Sequence, residues 1–177
     1  MKIIQSSIAI AALILTGLVS CGSKSDEAQQ NKTEVTQQDQ KKAVTMLPGL
    51  KMTDVNGNQI DLASLKGKKV FVNLWATWCP PCKAEIPSIQ ALNSKMDTGK
   101  IAFVMLSLDD NFELAKNYAK KNQLKLPVYY AAEDLPAIFK TDGIPATFIF
   151  NENGKLIKQN NGADDYDTDE YVQLLKL

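Results

Sequence analysis

Cys79 and Cys82, separated only by Pro80 and Pro81, are the side chains in this sequence best suited to covalent chemistry. Two thiols at C-x-x-C spacing switch between dithiol and disulfide, and the thiolate is the species that reacts. They stand directly behind the apolar run Val70-Phe71-Val72-Asn73-Leu74-Trp75, where a buried strand should hand over to a helix. A helix N-terminus favours negative charge, which marks Cys79 as the attacking thiol. Cys82, one helical turn on, can be more buried and can resolve the mixed disulfide formed at Cys79. Pro80 and Pro81 suit the first turn of a helix but carry no N–H. The first amide able to point at the Cys79 sulfur is then that of Cys82. The thiolate should lean on few donors, and replacing Pro80 should shift the reduction potential.

Other chemistries are excluded by composition. The 177 residues contain no histidine, so there is no Cys-His or Ser-His pair and no imidazole metal ligand. A structural zinc site wants four N or S ligands, and the chain has three cysteines in all. Haem attachment needs His directly after the second cysteine, where Lys83 stands. The 20 basic residues cancel the 20 acidic ones, which leaves no electrostatic case for nucleic acid as partner. The expectation is a redox-active disulfide with no metal and no other cofactor; a purely structural Cys79–Cys82 disulfide is the alternative.

The positioning elements follow from pattern. Leu50 to Leu65 holds Asn56-Gly57, a hairpin signal, between two extended pieces. Behind the cysteines, Ile86, Ile89, Leu92 and Met96 recur at near-helical spacing, with Pro87 expected to kink that helix. Ile101 to Leu108 is apolar without alternation, as in a strand covered on both faces. Phe112 to Asn122 reads as a helix, Val128 to Tyr130 as a strand and Leu135 to Lys140 as a short helical piece. Ala146 to Phe150 and Lys155 to Gln159 pair across Asn153-Gly154, and Asp169 to Lys176 closes the chain as a helix with Thr168 as its cap. This order argues for an α/β fold, a mixed sheet with helices on both faces. The Lys68-Lys69 and Lys120-Lys121 pairs and Asp164-Asp165…Asp167 read as solvated surface.

The first residues read as an address. Lys2 precedes the apolar stretch Ile8 to Leu15, well short of the ~20 residues a spanning helix needs. Leu18-Val19-Ser20-Cys21-Gly22 resembles a bacterial lipobox, which makes residues 1–20 a lipoprotein signal peptide and Cys21 the lipidated residue; the alternative is a cysteine in a discarded leader. Residues 21–44, polar almost throughout, then form a flexible tether, and residues 45–177 form the folded domain. With Cys21 consumed by lipid, Cys79 and Cys82 are the only thiols left in an exported protein. Gly22 in place of Asp points toward the outer membrane in a cell that has one.

The run Trp75-Ala76-Thr77-Trp78-Cys79-Pro80-Pro81-Cys82 resembles the active-site segment of the thioredoxin superfamily. Gly143-Ile144-Pro145-Ala146-Thr147-Phe148 resembles the segment in which thioredoxins set a cis-proline opposite the cysteines. Trp78-Cys79-x-Pro81-Cys82-x-x-Glu85-x-Pro87 and the upstream Gly57…Leu62…Leu65-Lys66-Gly67-Lys68 narrow the resemblance to the membrane-tethered, extracytoplasmic TlpA/ResA type. The resemblance implies a thioredoxin fold with an N-terminal β-hairpin extension. It also implies a cis Ile144–Pro145 bond and a catalytic Glu85 that exchanges protons with the thiols. For Glu85 the alternative is an exposed helix residue beside Lys83; for Pro145, merely the first residue of a strand. Trp78, Pro80, Pro81, Ile144 and Pro145 would form the substrate surface, with Ile144 free to pair with a substrate backbone. Trp75 and Trp78 would divide between core and surface. Asn73 departs from thioredoxin, which carries a titratable Asp at the matching position, so proton handling should pass to Glu85 or to water.

The implied activity is that of a membrane-anchored extracytoplasmic thiol-disulfide oxidoreductase. It would reduce disulfides of exported proteins, as in cytochrome c maturation, and draw electrons from a membrane-bound thiol reductant. It would stand on the periplasmic side, with the lipid as its only membrane contact. The alternatives are a dithiol oxidase or isomerase of exported proteins, a metal-handling thioredoxin-fold protein, which would need histidine or a longer cysteine spacing, and a thiol peroxidase, in which Cys79 would lie in a different motif.

Overall fold

Seven consecutive buried residues make β3 (Lys69–Trp75) an interior strand of the sheet. The computed structural model describes residues 45–176. The expected signal peptide, Cys21 and the tether lie outside the described residues. β3 runs parallel to β4 (Ile101–Ser107) and antiparallel to β6 (Ala146–Phe150). Beyond these lie β5 (Val128–Ala131), β1 (Lys51–Asp54) and β2 (Gln59–Asp61) on one side and β7 (Leu156–Asn161) on the other, in the order β2-β1-β5-β4-β3-β6-β7.

Because strand side chains alternate, the central strands fill two cores at once. Phe71, Trp75, Phe103, Met105 and Ile149 point to one, and Val70, Val72, Leu74, Val104, Leu106 and Phe148 to the other. The first core is roofed by α1 (Pro80–Ser94), α2 (Phe112–Lys121) and α3 (Asp169–Lys176), through Ile86, Ile89, Leu92, Ala115, Tyr171 and Leu175. The second is closed by Leu62 and Phe139, from 3₁₀ turns at Leu62–Leu65 and Ala137–Phe139, together with Leu50 and Met52. This corrects the expectation of helices on both faces: all three α-helices share one face. The Leu135 to Lys140 piece carries Pro136, and only its Ala137–Phe139 part is helical.

The hairpins stand where the turn signals put them. Gly57 takes φ +88° between β1 and β2, while Asp54 Oδ1 accepts from Asn56 N and Asn58 N at 2.8 Å each. β1 joins the sheet antiparallel to β5, so this hairpin extends the sheet N-terminally. The closing hairpin turns through Gly154 (φ +78°), and its second strand starts at Leu156, one residue later than expected, and continues to Asn161. α1 continues through Pro87, whose missing amide leaves the Lys83 carbonyl without its i+4 donor. Lys69 is a second correction. It is 5% exposed and donates from Nζ to the Leu174 carbonyl at 3.0 Å, so it caps the end of α3 instead of meeting solvent. Among the described residues no helix is long and apolar enough to cross a membrane.

Phe71 sits in the helix-covered core, with its ring 5.0 Å from Phe103 of β4 and edge-on at 5.2 Å to Tyr166, in the segment leading to α3. Phe71→Ala is expected to cost about 3–5 kcal/mol in urea unfolding, and Phe71→Leu less than half of that. A loss below ~1 kcal/mol would mean that this face of β3 can collapse around the cavity.

Candidate redox site

The chain leaves β3 at Trp75 and turns through Ala76–Trp78, closed by Cys79 N donating to the Ala76 carbonyl at 3.1 Å. Cys79 is the N-cap of α1, with extended backbone (φ −96°, ψ 103°), and the two prolines fill the first two helical positions. Its sulfur accepts the Cys82 amide at 3.2 Å, the contact expected from the missing proline amides. The cysteines are joined in a disulfide, with Cα atoms 5.3 Å apart. Cys82 is fully buried and Cys79 is 3% exposed, so a partner sulfur must approach through the rim.

That rim contains the other expected residues. The Ile144–Pro145 bond is cis, and the Ile144 carbonyl lies 3.7 Å from Cys79 Sγ. Trp78 is 62% exposed, Pro80 and Pro81 are exposed, Ile144 is half-buried and Pro145 is buried. Trp78, Leu108, Leu135, Phe139 and Ile144 line a hollow of about 490 Å³ beside the disulfide. Trp75 is buried in the core against Tyr118.

On the helix-covered face of the sheet, near the first turns of α1, lies a polar cluster inside an apolar core. Glu85 is 3% exposed, not a surface neighbour of Lys83. Asn73 Nδ2 donates to Glu85 Oε1 at 2.7 Å and to Thr147 Oγ1 at 2.9 Å, while Asp164 N donates to Glu85 Oε2 at 3.1 Å. Tyr166 OH donates to Thr147 Oγ1 at 2.7 Å, and Tyr171 OH donates to Asp164 Oδ2 at 2.5 Å. Burial pushes the Glu85 carboxyl from 4.5 up to about 7; the Asn73 and Asp164 N–H bonds oppose the rise and the Asp164 charge adds to it. Burial likewise pushes the Tyr166 hydroxyl up to about 12. A shallow hollow lined by Ala84, Glu85, Ala163, Asp164 and Asp165 lies beside the carboxyl and offers a proton a short path to water.

Sequence reasoning missed Thr147 and Tyr166; Asp164 is exposed, as expected of a solvated acid, but its amide contact with Glu85 was not foreseen. One signal was available. Asn73 and Thr147 are polar interruptions of apolar strands, and the register sets them directly opposite each other. Among the described residues no three Cys, Asp or Glu side chains are grouped to hold a metal ion.

Two outcomes follow from this geometry. A carboxyl whose pKa is higher folded than unfolded binds its proton more tightly in the native state. Its contribution is therefore full below pH ~4.5 and lost as pH rises to ~7. Urea unfolding should show the wild type losing roughly 3 kcal/mol across that window relative to Glu85→Gln. Parallel profiles for the two proteins would show that Glu85 keeps an ordinary pKa. The second outcome concerns the thiolate. An N-cap acceptor bonds the amides of the second and third helical residues, so the decisive missing donor is at Pro81 more than at Pro80. Pro81→Ala restores that donor and should lower the Cys79 pKa and raise the reduction potential against glutathione. An unchanged potential would remove the amide argument.

The redoxin family profile matches residues 24–175. The thiol-disulfide oxidoreductase ResA of Bacillus thuringiensis subsp. konkukian is 36% identical over 118 residues, 65% of this chain and 67% of that protein. ResA of Bacillus subtilis is 29% identical over 131 residues, 73% of each chain. Among solved structures, a thioredoxin-family thiol:disulfide interchange protein from Chlorobium tepidum superposes with TM-score 0.65 at 30% identity, covering 75% of this chain and 96% of its own. The chain belongs to the redoxin family, as a TlpA/ResA-type thiol-disulfide oxidoreductase on the thioredoxin fold.

Proposed function

We propose that this oxidoreductase reduces disulfides of exported proteins, with Cys79 as attacking thiol, Cys82 as resolving thiol and Glu85 as their proton exchanger. The observation that carries the reading is the single amide, that of Cys82, pointing at Cys79 Sγ. A thiolate stabilised by many donors makes its disulfide a strong oxidant. One donor leaves the thiolate less favoured and the disulfide harder to reduce, which suits a reductant.

The reaction balances without a cofactor. The Cys79 thiolate attacks one sulfur of the substrate disulfide; that S–S bond breaks, and the second substrate sulfur leaves as a thiolate and takes up a proton. Cys82 then gives up its proton and attacks Cys79 Sγ, and the first substrate sulfur leaves. The substrate has gained two electrons, and the Cys79–Cys82 disulfide remains for a thiol reductant to reopen. Glu85, held near neutrality by burial, can accept the Cys82 proton and return it through the hollow beside Asp164. Asn73 serves either state of the carboxyl. Its Nδ2 donates to the anion, and its unpartnered Oδ1 would accept from the acid once the amide turns over.

Trp78, Pro80, Pro81 and the Ile144–Pro145 edge form the surface on which a substrate chain would lie. The lipobox-like residues around Cys21 support an exported, lipid-anchored enzyme that a membrane-bound reductant can reach, and cytochrome c maturation is one process in which such a reductase would serve.

The trapping test uses Cys82→Ser. It should freeze a mixed disulfide between Cys79 and a protein of the exported compartment, visible as an adduct that dithiothreitol releases and that Cys79→Ser abolishes. Failure to trap any adduct, with the Cys82→Ser protein folded and its Cys79 thiol reactive, would count against protein disulfides as the substrate.

A further inference from the structure

Asp109 lies just beyond β4 and is 2% exposed, yet among the described residues no lysine pairs with it. A buried carboxylate without a cation persists only when hydrogen bonds replace its water. Thr77 N donates to Oδ1 at 3.0 Å and to Oδ2 at 3.2 Å, and the Thr77 hydroxyl donates to Oδ1 at 2.6 Å. The Ser107 hydroxyl donates to Oδ2 at 2.8 Å, and Ser107 Oγ accepts the Asp109 amide at 3.1 Å. Every donor comes from one of two places: the end of β4, or the turn that carries Trp78 and Cys79. A further bond, from Leu108 N to the Trp75 carbonyl at 2.8 Å, ties the same two segments.

This arrangement has a use that depends on the redox state. In the oxidised protein the disulfide itself holds Cys79 against α1. Reduction cuts that tie, and the Cys79 sulfur keeps its contact with the Cys82 amide only if the turn before it stays in place. We infer that Asp109 is a positioning residue for the reaction: it clamps the Ala76–Trp78 turn so that the freed Cys79 sulfur stays at the α1 N-terminus. The inference rests on Cys79 being the attacking thiol.

Charge and position can be told apart by sign. Removing a nearby negative charge favours a thiolate, whereas losing the amide contact disfavours it. Asp109→Asn removes the charge but keeps one oxygen for Thr77 and gains a donor that Ser107 Oγ can accept. Asp109→Ala removes the clamp as well. The experiment is the pH profile of alkylation by iodoacetamide in the reduced full-length chain, with the modified cysteine identified by mass spectrometry.

Asp109→Ala is expected to slow Cys79 alkylation near pH 7 by about tenfold through a raised thiol pKa. Thr77→Val should move the profile the same way by less, while Asp109→Asn and Thr77→Ser stay at or on the faster side of wild type. A folded Asp109→Ala protein with the wild-type profile, or one shifted toward faster alkylation, overturns the clamp. Should that variant not fold, Thr77→Val decides: a slower profile supports the clamp and an unchanged one overturns it. If Cys82 is alkylated before Cys79 in the wild type, the attacking-thiol reading falls and this inference with it. If Cys79 reacts first with the same profile in every variant, only the clamp falls.

Discussion

The burial of β3 on both faces is the constraint from which the rest of the site descends. A strand covered on both sides and paired on both edges has no freedom to shift register, because a slip of one residue would exchange its two side-chain sets. Val72 and Leu74 would then enter the helix-covered core, and Asn73 would be driven among Leu62 and Phe139. The strand therefore delivers Cys79 to a fixed height above the sheet and Asn73 to a fixed point within it. The β6 pairing adds a second fixed reference. Asn73 stands opposite Thr147, and two residues before Thr147 is Pro145, on the rim beside Cys79.

On that rigid base the polar cluster sets a titratable group inside an apolar core. A carboxyl on a residue 3% exposed loses most of its hydration, and two N–H donors only partly replace it. An apolar residue at position 85 would serve packing better. What the carboxyl gains from burial is a protonation midpoint near neutrality, where it can both take and return a proton. Tyr171 contributes at a distance: its hydroxyl holds the Asp164 side chain, whose backbone amide in turn holds Glu85.

Much of this was legible in the sequence, and the limits have physical causes. Local chemistry was readable: proline at the first two helical positions, the absence of histidine and the Asn56-Gly57 turn each act within a few residues. The C-x-x-C pair, Glu85 and the Ile144–Pro145 edge were readable through resemblance. Long-range hydrogen bonding was not. Asp164 meets Glu85 across 79 positions and Asp109 meets Thr77 across 32, separations over which charge patterning says nothing. Lys69 failed for the same reason, since the Leu174 carbonyl that buries it lies 105 residues away. The placement of all three helices on one face was hidden because Leu135 to Lys140 has the composition of a helix but only one short turn of it forms.

The direction of electron flow is a contest between the two ends of the disulfide. At Cys79, the prolines leave one backbone donor, which favours the disulfide over the dithiolate. At Cys82, full burial also disfavours a thiolate, so a neighbouring base must draw the proton away during resolution. Both terms stabilise the protonated dithiol relative to its anions, and neither gives the extra thiolate stability that makes an oxidant. An oxidising role would need a further donor or cation at the Cys79 sulfur. The turn ahead of Cys79 is held instead by a buried side chain from just beyond β4, that of Asp109, which accepts from the Thr77 amide and hydroxyl. On the proposed reading as a reductase, the single amide donor at Cys79 and the full burial of Cys82 both act in the direction that reading needs.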